Sequence, residues 1–127
     1  MALPDKKNPH KLSGYRFNRD QRLVDAAQFR RVFESNYKLA DSYWTILYRE
    51  NGGEFARLGM AVSKKRARRS VDRSRLKRLV RESFRLRELP AVDIVVMPRD
   101  VTVKTNSQDL LSSLNRQWSR IAERCTR

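Results

Sequence analysis

The segment Lys64–Arg87 constrains the fold of this chain more than any other part of its sequence. It places 12 of the chain's 29 lysines and arginines in 24 residues, with only Asp72 and Glu82 as acids. Within it, apolar residues recur at helical spacing, at Leu76, Leu79, Val80 and Phe84. The pattern predicts a helix from about residue 72 to residue 89, ended by Pro90, with one apolar face and one cationic face.

The cationic face of this predicted helix indicates a polyanionic partner. An ordinary solvated helix mixes charges of both signs, whereas the like charges here are left uncompensated. On a helical wheel, the polar band contains Ser74, Lys77, Arg78, Arg81 and Arg85. The whole chain carries a formal net charge of +15 over 127 residues, so binding should depend strongly on salt. A folded basic surface favours a structured partner, and RNA is the most plausible one.

The rest of the chain predicts one domain behind a basic arm. Residues 1–20 contain Pro4, Pro9, Gly14 and several lysines without periodicity, which predicts a flexible arm that orders on RNA. Residues 21–124 are then the RNA-binding domain. A chain of this length supports one hydrophobic core.

Turn and capping signals predict the first elements. Asp25 and Gln28 resemble a capping box that opens a helix over residues 26–34. Two runs rich in apolar and aromatic residues, 43–49 and 55–62, flank Asn51-Gly52-Gly53 and predict a β-hairpin.

The C-terminal half adds a strand and a helix. Residues 92–97 are almost wholly apolar and predict a strand inside the sheet, closed by Pro98. A last amphipathic helix begins at Asn106 or Ser107 and buries Trp118. The order helix, strand, strand, helix, strand, helix predicts a single-domain α+β protein, an α/β sandwich.

Aromatic residues suggest a second functional surface. Phe29 and Phe33 are four residues apart, so they form one ledge on the first helix. Packing against the sheet and stacking of single-stranded bases both explain such a ledge. Tyr43, Trp44 and Tyr48 alternate on a strand, and the sequence leaves open which of them faces outward.

Side chains that support catalysis are scarce. The single histidine, His10, lies in the arm, and the single cysteine, Cys125, lies near the end of the chain. Asp93 and Asp100 flank a strand and could contact Mg²⁺, although a structural role is favoured. No apolar segment suggests a signal sequence or a membrane span, so we expect a soluble, cytoplasmic binding protein without membrane attachment.

The basic helix resembles a known signature. Lys64-Lys65, a basic spacer, and the run from Arg73 to Arg85, RSRLKRLVRESFR, resemble the signature helix of the bacterial ribonuclease P protein subunit. The passage Glu88–Asp93 into the next strand is similar to the proteobacterial type. The resemblance covers roughly residues 20 to 122.

The resemblance implies a fold and a function. The family's α/β sandwich has a small mixed sheet, one further short strand, and a left-handed βαβ crossover that contains the signature helix. Its members bind a large catalytic RNA, which with Mg²⁺ removes the 5′ leader from precursor tRNA by endonucleolytic cleavage. The resemblance implies Mg²⁺ bound mainly by the RNA, a monomeric protein in a 1:1 complex with it, and no catalytic side chain on the protein.

The resemblance also assigns residues to roles. In the family's cleft, Phe29 and Phe33 would receive the single-stranded leader, together with Tyr48 or, less favoured, Trp44. The family's usual Arg-Asn-Arg has Ser74 at its centre here, a shorter side chain without the paired donor and acceptor of an amide. The residues implied to bind the catalytic RNA are Lys64, Lys65, Arg66, Arg68, Arg69, Arg73, Ser74, Arg75, Lys77, Arg78 and Arg81.

Two other classes of protein share part of this profile. A ribosomal protein would explain the size and charge, but it would co-sediment with ribosomes and would not discriminate a leader. A protein nuclease or toxin would cleave RNA without an added RNA subunit.

Overall fold

The computed structural model describes residues 21–125 except Val24 and Asn36. The predicted arm, residues 1–20, lies outside the described residues. The helices are α1 (Ala26–Phe33), α2 (Ser70–Arg85) and α3 (Ser107–Cys125), with a 3-10 helix at Asp100–Lys104. The strands are β1 (Lys38–Ala40), β2 (Trp44–Glu50), β3 (Arg57–Met60) and β4 (Val92–Pro98).

The four strands form one mixed sheet in the order β1-β2-β4-β3. Strand β4 is antiparallel to β2 and parallel to β3. The predicted α+β sandwich and the inner position of β4 are confirmed. The predicted hairpin between the second and third strands is wrong, because β4 lies between them; the hairpin instead joins β1 and β2.

The burial of β4 explains why it separates β2 from β3. Six of its seven residues, all except Met97, are buried, and only an inner strand is covered along both edges as well as both faces. The turn signal at Asn51-Gly52-Gly53 forms a local turn without pairing its flanking strands. There the Asn51 side chain accepts a hydrogen bond from the Gly53 N–H at 2.7 Å, and Gly52 has a φ of 65°, which glycine adopts without strain.

Helices cover the two faces of the sheet unequally. Helices α2 and α3 pack on one face, where Phe84 and Trp118 meet edge to face with ring centroids 6.0 Å apart. Trp118 is fully buried, as predicted, and its indole N–H donates to Ser83 Oγ at 2.6 Å. Helix α1 packs on the opposite face over Val95, and this smaller cluster includes Val32 and Leu23.

Capping side chains mark the starts of α1 and α3. At α1 the predicted capping box is present, with Asp25 accepting the Gln28 N–H at 2.8 Å. At α3, Asn106 Oδ1 accepts the Asp109 N–H at 2.8 Å. Helix α2 ends at Arg85 rather than at the predicted residue 89, because the chain tightens after Phe84, whose carbonyl accepts the Arg87 N–H.

The connection from β3 through α2 to β4 joins two adjacent parallel strands. It is therefore the βαβ unit in which the family resemblance places the signature helix. The further short strand implied by the resemblance is present as β1. No helix among the described residues has both the length and the apolar character needed to cross a membrane.

Candidate nucleic-acid interface

Helix α1 presents an aromatic ledge formed by Phe29 and Phe33. Their ring centroids are 6.4 Å apart with an interplanar angle of 27°. Phe29 is half-buried among sheet residues that include Leu47 and Met97, whereas Phe33 is 46% exposed. One ring therefore anchors the ledge and the other offers an open surface to a partner.

Gly59 allows the ledge to approach the sheet closely. A Cβ atom at this position would lie 2.7 Å from Cζ of Phe29 and 3.0 Å from Cβ of Leu23. Gly59 pairs with Val95 of β4, which in turn pairs with Leu47 of β2. This row forms the floor beneath Phe29. A glycine inside a strand permits such a close approach because it has no side chain.

Tyr48 does not share the cleft with the phenylalanine ledge, so the prediction that Tyr48 or Trp44 lines this cleft is wrong. Both side chains belong to the core on the α2 and α3 face of the sheet, with Trp44 fully buried and Tyr48 2% exposed. Side chains of a strand alternate between faces, so Leu47 points to α1 instead. The alternation could have identified Leu47 as a residue of this cleft if it had been known which face of β2 packs against α1.

The cationic band predicted on α2 is present. Ser74, Lys77, Arg78 and Arg81 line one shallow surface of the helix together with Glu82. Among the described residues, no hydrogen bond or ion pair engages the Arg78 or Arg81 side chain. Arg85, also placed in this band, instead bonds to Glu82 at 2.9 and 2.5 Å. The open part of the band can neutralise phosphates without first breaking an internal contact.

Two predicted RNA-binding arginines also hold the protein's own backbone. Arg73 donates to the carbonyls of Ala67 and Arg68 at 2.9 and 2.8 Å. Arg75 donates to the carbonyl of Thr105 at 2.5 Å, just before α3. A guanidinium has five N–H donors, so some remain for a ligand, but these two side chains position the spacer and the 3-10 helix region.

The basic spacer before α2 forms an exposed turn. Ser63 Oγ accepts the Lys65 N–H at 3.0 Å. Arg66 pairs with Asp100 at 3.0 Å. Arg69 pairs with Asp72 at the same distance, and this bond raises the pKa of its guanidinium. The Arg66–Asp100 pair is exposed and contributes little stability, so a phosphate could replace Asp100 at small cost, whereas the Asp72 side chain is only 12% exposed. Lys64, Lys65, Arg66, Arg68 and Arg69 are all exposed.

The ledge and the cationic band meet at one depression of about 160 Å³. From the ledge side it is lined by Phe29 and Gly59, and from the band by Lys77 and Arg81. Arg22, Leu23, Leu58 and Met60 complete its wall. The aromatic ledge and the cationic band, which the sequence predicted separately, therefore form one continuous interface in the structure.

The acids considered as Mg²⁺ ligands have arginine partners. Asp93 receives two hydrogen bonds from Arg57, both at 2.7 Å, and one from Asn51 at 2.9 Å. Donation of these hydrogen bonds to Asp93 raises the pKa of the Arg57 guanidinium. Within the part of the chain that the structure describes, no group of three potential ligands among His, Cys, Asp and Glu comes together.

The fold and the interface together define a small, basic RNA-binding protein of the α+β class. A sequence model of the ribonuclease P family matches residues 17–122. The ribonuclease P protein component of Methylococcus capsulatus is 46% identical over 115 residues, covering 89% of this chain and 90% of the relative. That of Thioalkalivibrio sulfidiphilus is also 46% identical, over 86% and 92% of the two chains. The chain belongs to the ribonuclease P protein family.

Solved structures agree with this assignment. The ribonuclease P protein from Thermotoga maritima matches with a TM-score of 0.71 at 32% identity, covering 79% of this chain and 96% of that one. The Staphylococcus aureus ribonuclease P protein matches with a TM-score of 0.74 at 25% identity, covering 80% and 97%.

Proposed function

We propose that this protein is the protein component of ribonuclease P, which removes the 5′ leader from precursor tRNA. Its partners are the catalytic RNA and the precursor tRNA. The observation that carries the proposal is the depression where Phe29 of the ledge meets Lys77 and Arg81 of the cationic band. One RNA can be held along α2 while an unpaired strand lies beside it on the ledge.

The cationic band binds the catalytic RNA through its phosphates. Lys77, Arg78 and Arg81 line one surface of α2, with Arg81 one turn after the other two, and neutralising phosphates there releases condensed counterions. RNA strands that crowd together repel each other less once their charge is neutralised. The protein thereby lowers the Mg²⁺ concentration at which the RNA keeps its active fold, while the magnesium itself is bound mainly by the RNA.

The aromatic ledge binds the leader. Phe33 exposes an open ring on which an unpaired base can stack, and such contacts contribute about 1 to 3 kcal/mol per base. Mature tRNA lacks the leader, so this contact favours substrate over product. Leu47 and Met97 form the apolar floor beside Phe29, in place of the tyrosine expected from the sequence.

The protein supports catalysis without supplying the reacting groups. The side chains that line the depression and the cationic band are arginines, Lys77, Ser74, Glu82 and apolar residues, and Glu82, the carboxylate among them, is paired with Arg85. We assign the chemistry to the RNA and a positioning role to a monomeric protein in a 1:1 complex. Leader removal takes place in the cytoplasm, where tRNA is made.

A reconstitution tests this function. The catalytic RNA is incubated with precursor tRNA at low Mg²⁺, with and without the protein, and release of the leader is measured. We expect the protein to restore cleavage, and the variant with Arg78→Ala and Arg81→Ala to require more Mg²⁺. Unchanged cleavage with the wild-type protein would overturn the proposal, and cleavage by the protein without the RNA would identify a protein nuclease instead.

A further inference from the structure

A second pocket lies on the face of the sheet opposite to the phenylalanine ledge. It has a volume of about 330 Å³, within the range of small-ligand sites, and is lined by Tyr37, Tyr48, Glu50, Arg124 and Cys125. The rings of Tyr37 and Tyr48 stack with centroids 5.5 Å apart and an interplanar angle of 24°. Tyr48 is 2% exposed but Tyr37 is 59% exposed, so much of the Tyr37 ring remains open to a further ring.

The backbone holds Tyr37 in place for stacking. Its carbonyl accepts the Tyr48 N–H at 3.2 Å, and its own N–H donates to Ser35 Oγ at 3.1 Å. The Ser35 hydroxyl in turn donates to the Tyr48 carbonyl at 2.7 Å. A ring that is already ordered loses little conformational entropy when a ligand binds.

Positive charge leads to this pocket along α3. Arg124 donates from Nη1 to the Tyr48 hydroxyl at 3.2 Å, and this hydrogen bond raises the pKa of the guanidinium. Arg116 and Arg120 precede it at intervals of four residues and are exposed, so the three arginines form one row on the helix. A planar ring beside a row of cations matches a nucleic-acid strand, which carries a base and a phosphate at each step.

We propose that this pocket and the arginine row bind a second segment of single-stranded RNA. One base stacks on the open face of Tyr37, and the flanking phosphates bind Arg124 and Arg120. Glu50 at the pocket wall accepts a hydrogen bond from an N–H group of the base. Because the leader-binding ledge lies on the other face of the sheet, the protein can hold two unpaired segments at the same time.

Cys125 provides a local readout, since it lines the pocket and is the chain's only cysteine. Burial raises the pKa of its thiol, so alkylation of the full-length protein is followed at about pH 8.5. The probe is an RNA hexamer, AGAGAG, whose purines stack well. We expect the hexamer to slow alkylation, and Tyr37→Ala to raise the concentration for half-protection at least about fivefold. Tyr37→Trp, which keeps an aromatic ring, should restore protection.

The matched control is Phe33→Ala, which removes an exposed ring from the opposite face and should leave Cys125 protection unchanged. Arg116→Ala with Arg120→Ala tests the row independently of Tyr37, and should lower the salt dependence of protection by at least the one phosphate contact assigned to Arg120. Absence of protection in the wild-type protein, or equal protection in Tyr37→Ala, would overturn the proposal. Equal protection by a hexaglutamate peptide would overturn it as well, since that ligand has no ring to stack. None of these outcomes bears on leader removal.

Discussion

Cζ of Phe29 lies only 2.7 Å from the position that a Cβ atom on Gly59 would occupy. The absence of a side chain on β3 therefore sets the height of the aromatic ledge above the sheet. Any larger residue at position 59 must push Phe29 outward. This movement changes the shape of the depression that Phe29 shares with Lys77 and Arg81. A position on the sheet thus controls the interface without reaching the RNA itself.

Substituting Gly59→Ala should destabilise the protein by about 1 to 3 kcal/mol, as for other overpacked sites. The cost arises from the contact with Phe29, so Phe29→Leu, which lacks the outer ring atoms, should relieve part of it. The free energy of unfolding in urea, measured for both single variants and the double variant, gives the coupling between them. Strictly additive losses would show that the two residues do not interact.

Phe33→Ala should weaken binding of precursor tRNA by the reconstituted enzyme by about 1 to 3 kcal/mol and leave binding of mature tRNA nearly unchanged. The reason is that, in the proposed function, the open ring of Phe33 contacts the leader, which mature tRNA lacks. Equilibrium binding of both tRNAs to the reconstituted enzyme measures the difference. Val101→Ala is the matched control, since Val101 is 45% exposed but lies on the 3-10 helix. Equal losses for the two tRNAs would contradict leader binding.

Arg78→Ala should weaken binding of the catalytic RNA and lower the slope of log affinity against log salt by about one. Its side chain has no partner among the described residues, so the stability of the protein should change little.

Arg75→Ala should behave differently, because it removes the hydrogen bond to the Thr105 carbonyl. We expect this second variant to lose about 1 to 2 kcal/mol of folding stability.

Binding at several salt concentrations and urea unfolding separate these two roles. Lys104→Ala, an exposed charge change on the 3-10 helix, is the control for a general effect of net charge. If Arg78→Ala and Lys104→Ala lowered the salt slope equally, the cationic band would have no special position in RNA binding.

Local patterns predicted most elements because their causes are local. The capping box of Asp25, the periodicity around Phe84 and the apolar run of β4 all identify themselves within a few residues. Strand pairing was not predictable in this way. Asn51-Gly52-Gly53 resembles a hairpin turn, yet the partner of β2 is β4, more than forty residues further along the chain.

The sequence predicted the cationic band and the phenylalanine ledge, but the geometry of the candidate interface only in part. Alternation along β2 separates Trp44 and Tyr48 from Leu47, but it does not reveal which group faces α1. The helical wheel placed Arg78 on an open face correctly. It could not show that Arg75 reaches a carbonyl thirty residues away, because that contact depends on where the 3-10 helix packs.

Asp41 links the β1–β2 turn to α3, and it should make stability depend on pH in the acid range. Burial alone would raise the pKa of this carboxyl. The carboxylate, however, accepts four hydrogen bonds, which together outweigh burial and lower the pKa. The donors are the Ser113 hydroxyl, the Gln117 amide, and the N–H groups of Trp44 and Tyr43, both at 2.8 Å.

A lowered pKa means that the folded state favours the ionised carboxylate. The stabilisation is therefore complete above the unfolded pKa of about 3.9 and is lost as the pH falls through the lower, folded value.

Asp41→Asn should lose about 1 to 3 kcal/mol of folding stability at pH 7, since it forfeits charge-assisted hydrogen bonds. The deficit should shrink below about pH 4, because the carboxylate of the unfolded wild-type chain begins to protonate there while that of the folded protein does not. Urea unfolding between pH 7 and pH 3 measures this, with the exposed loop variant Glu54→Gln as control. A deficit that stays constant over this range would show that the charge of Asp41 does not stabilise the turn.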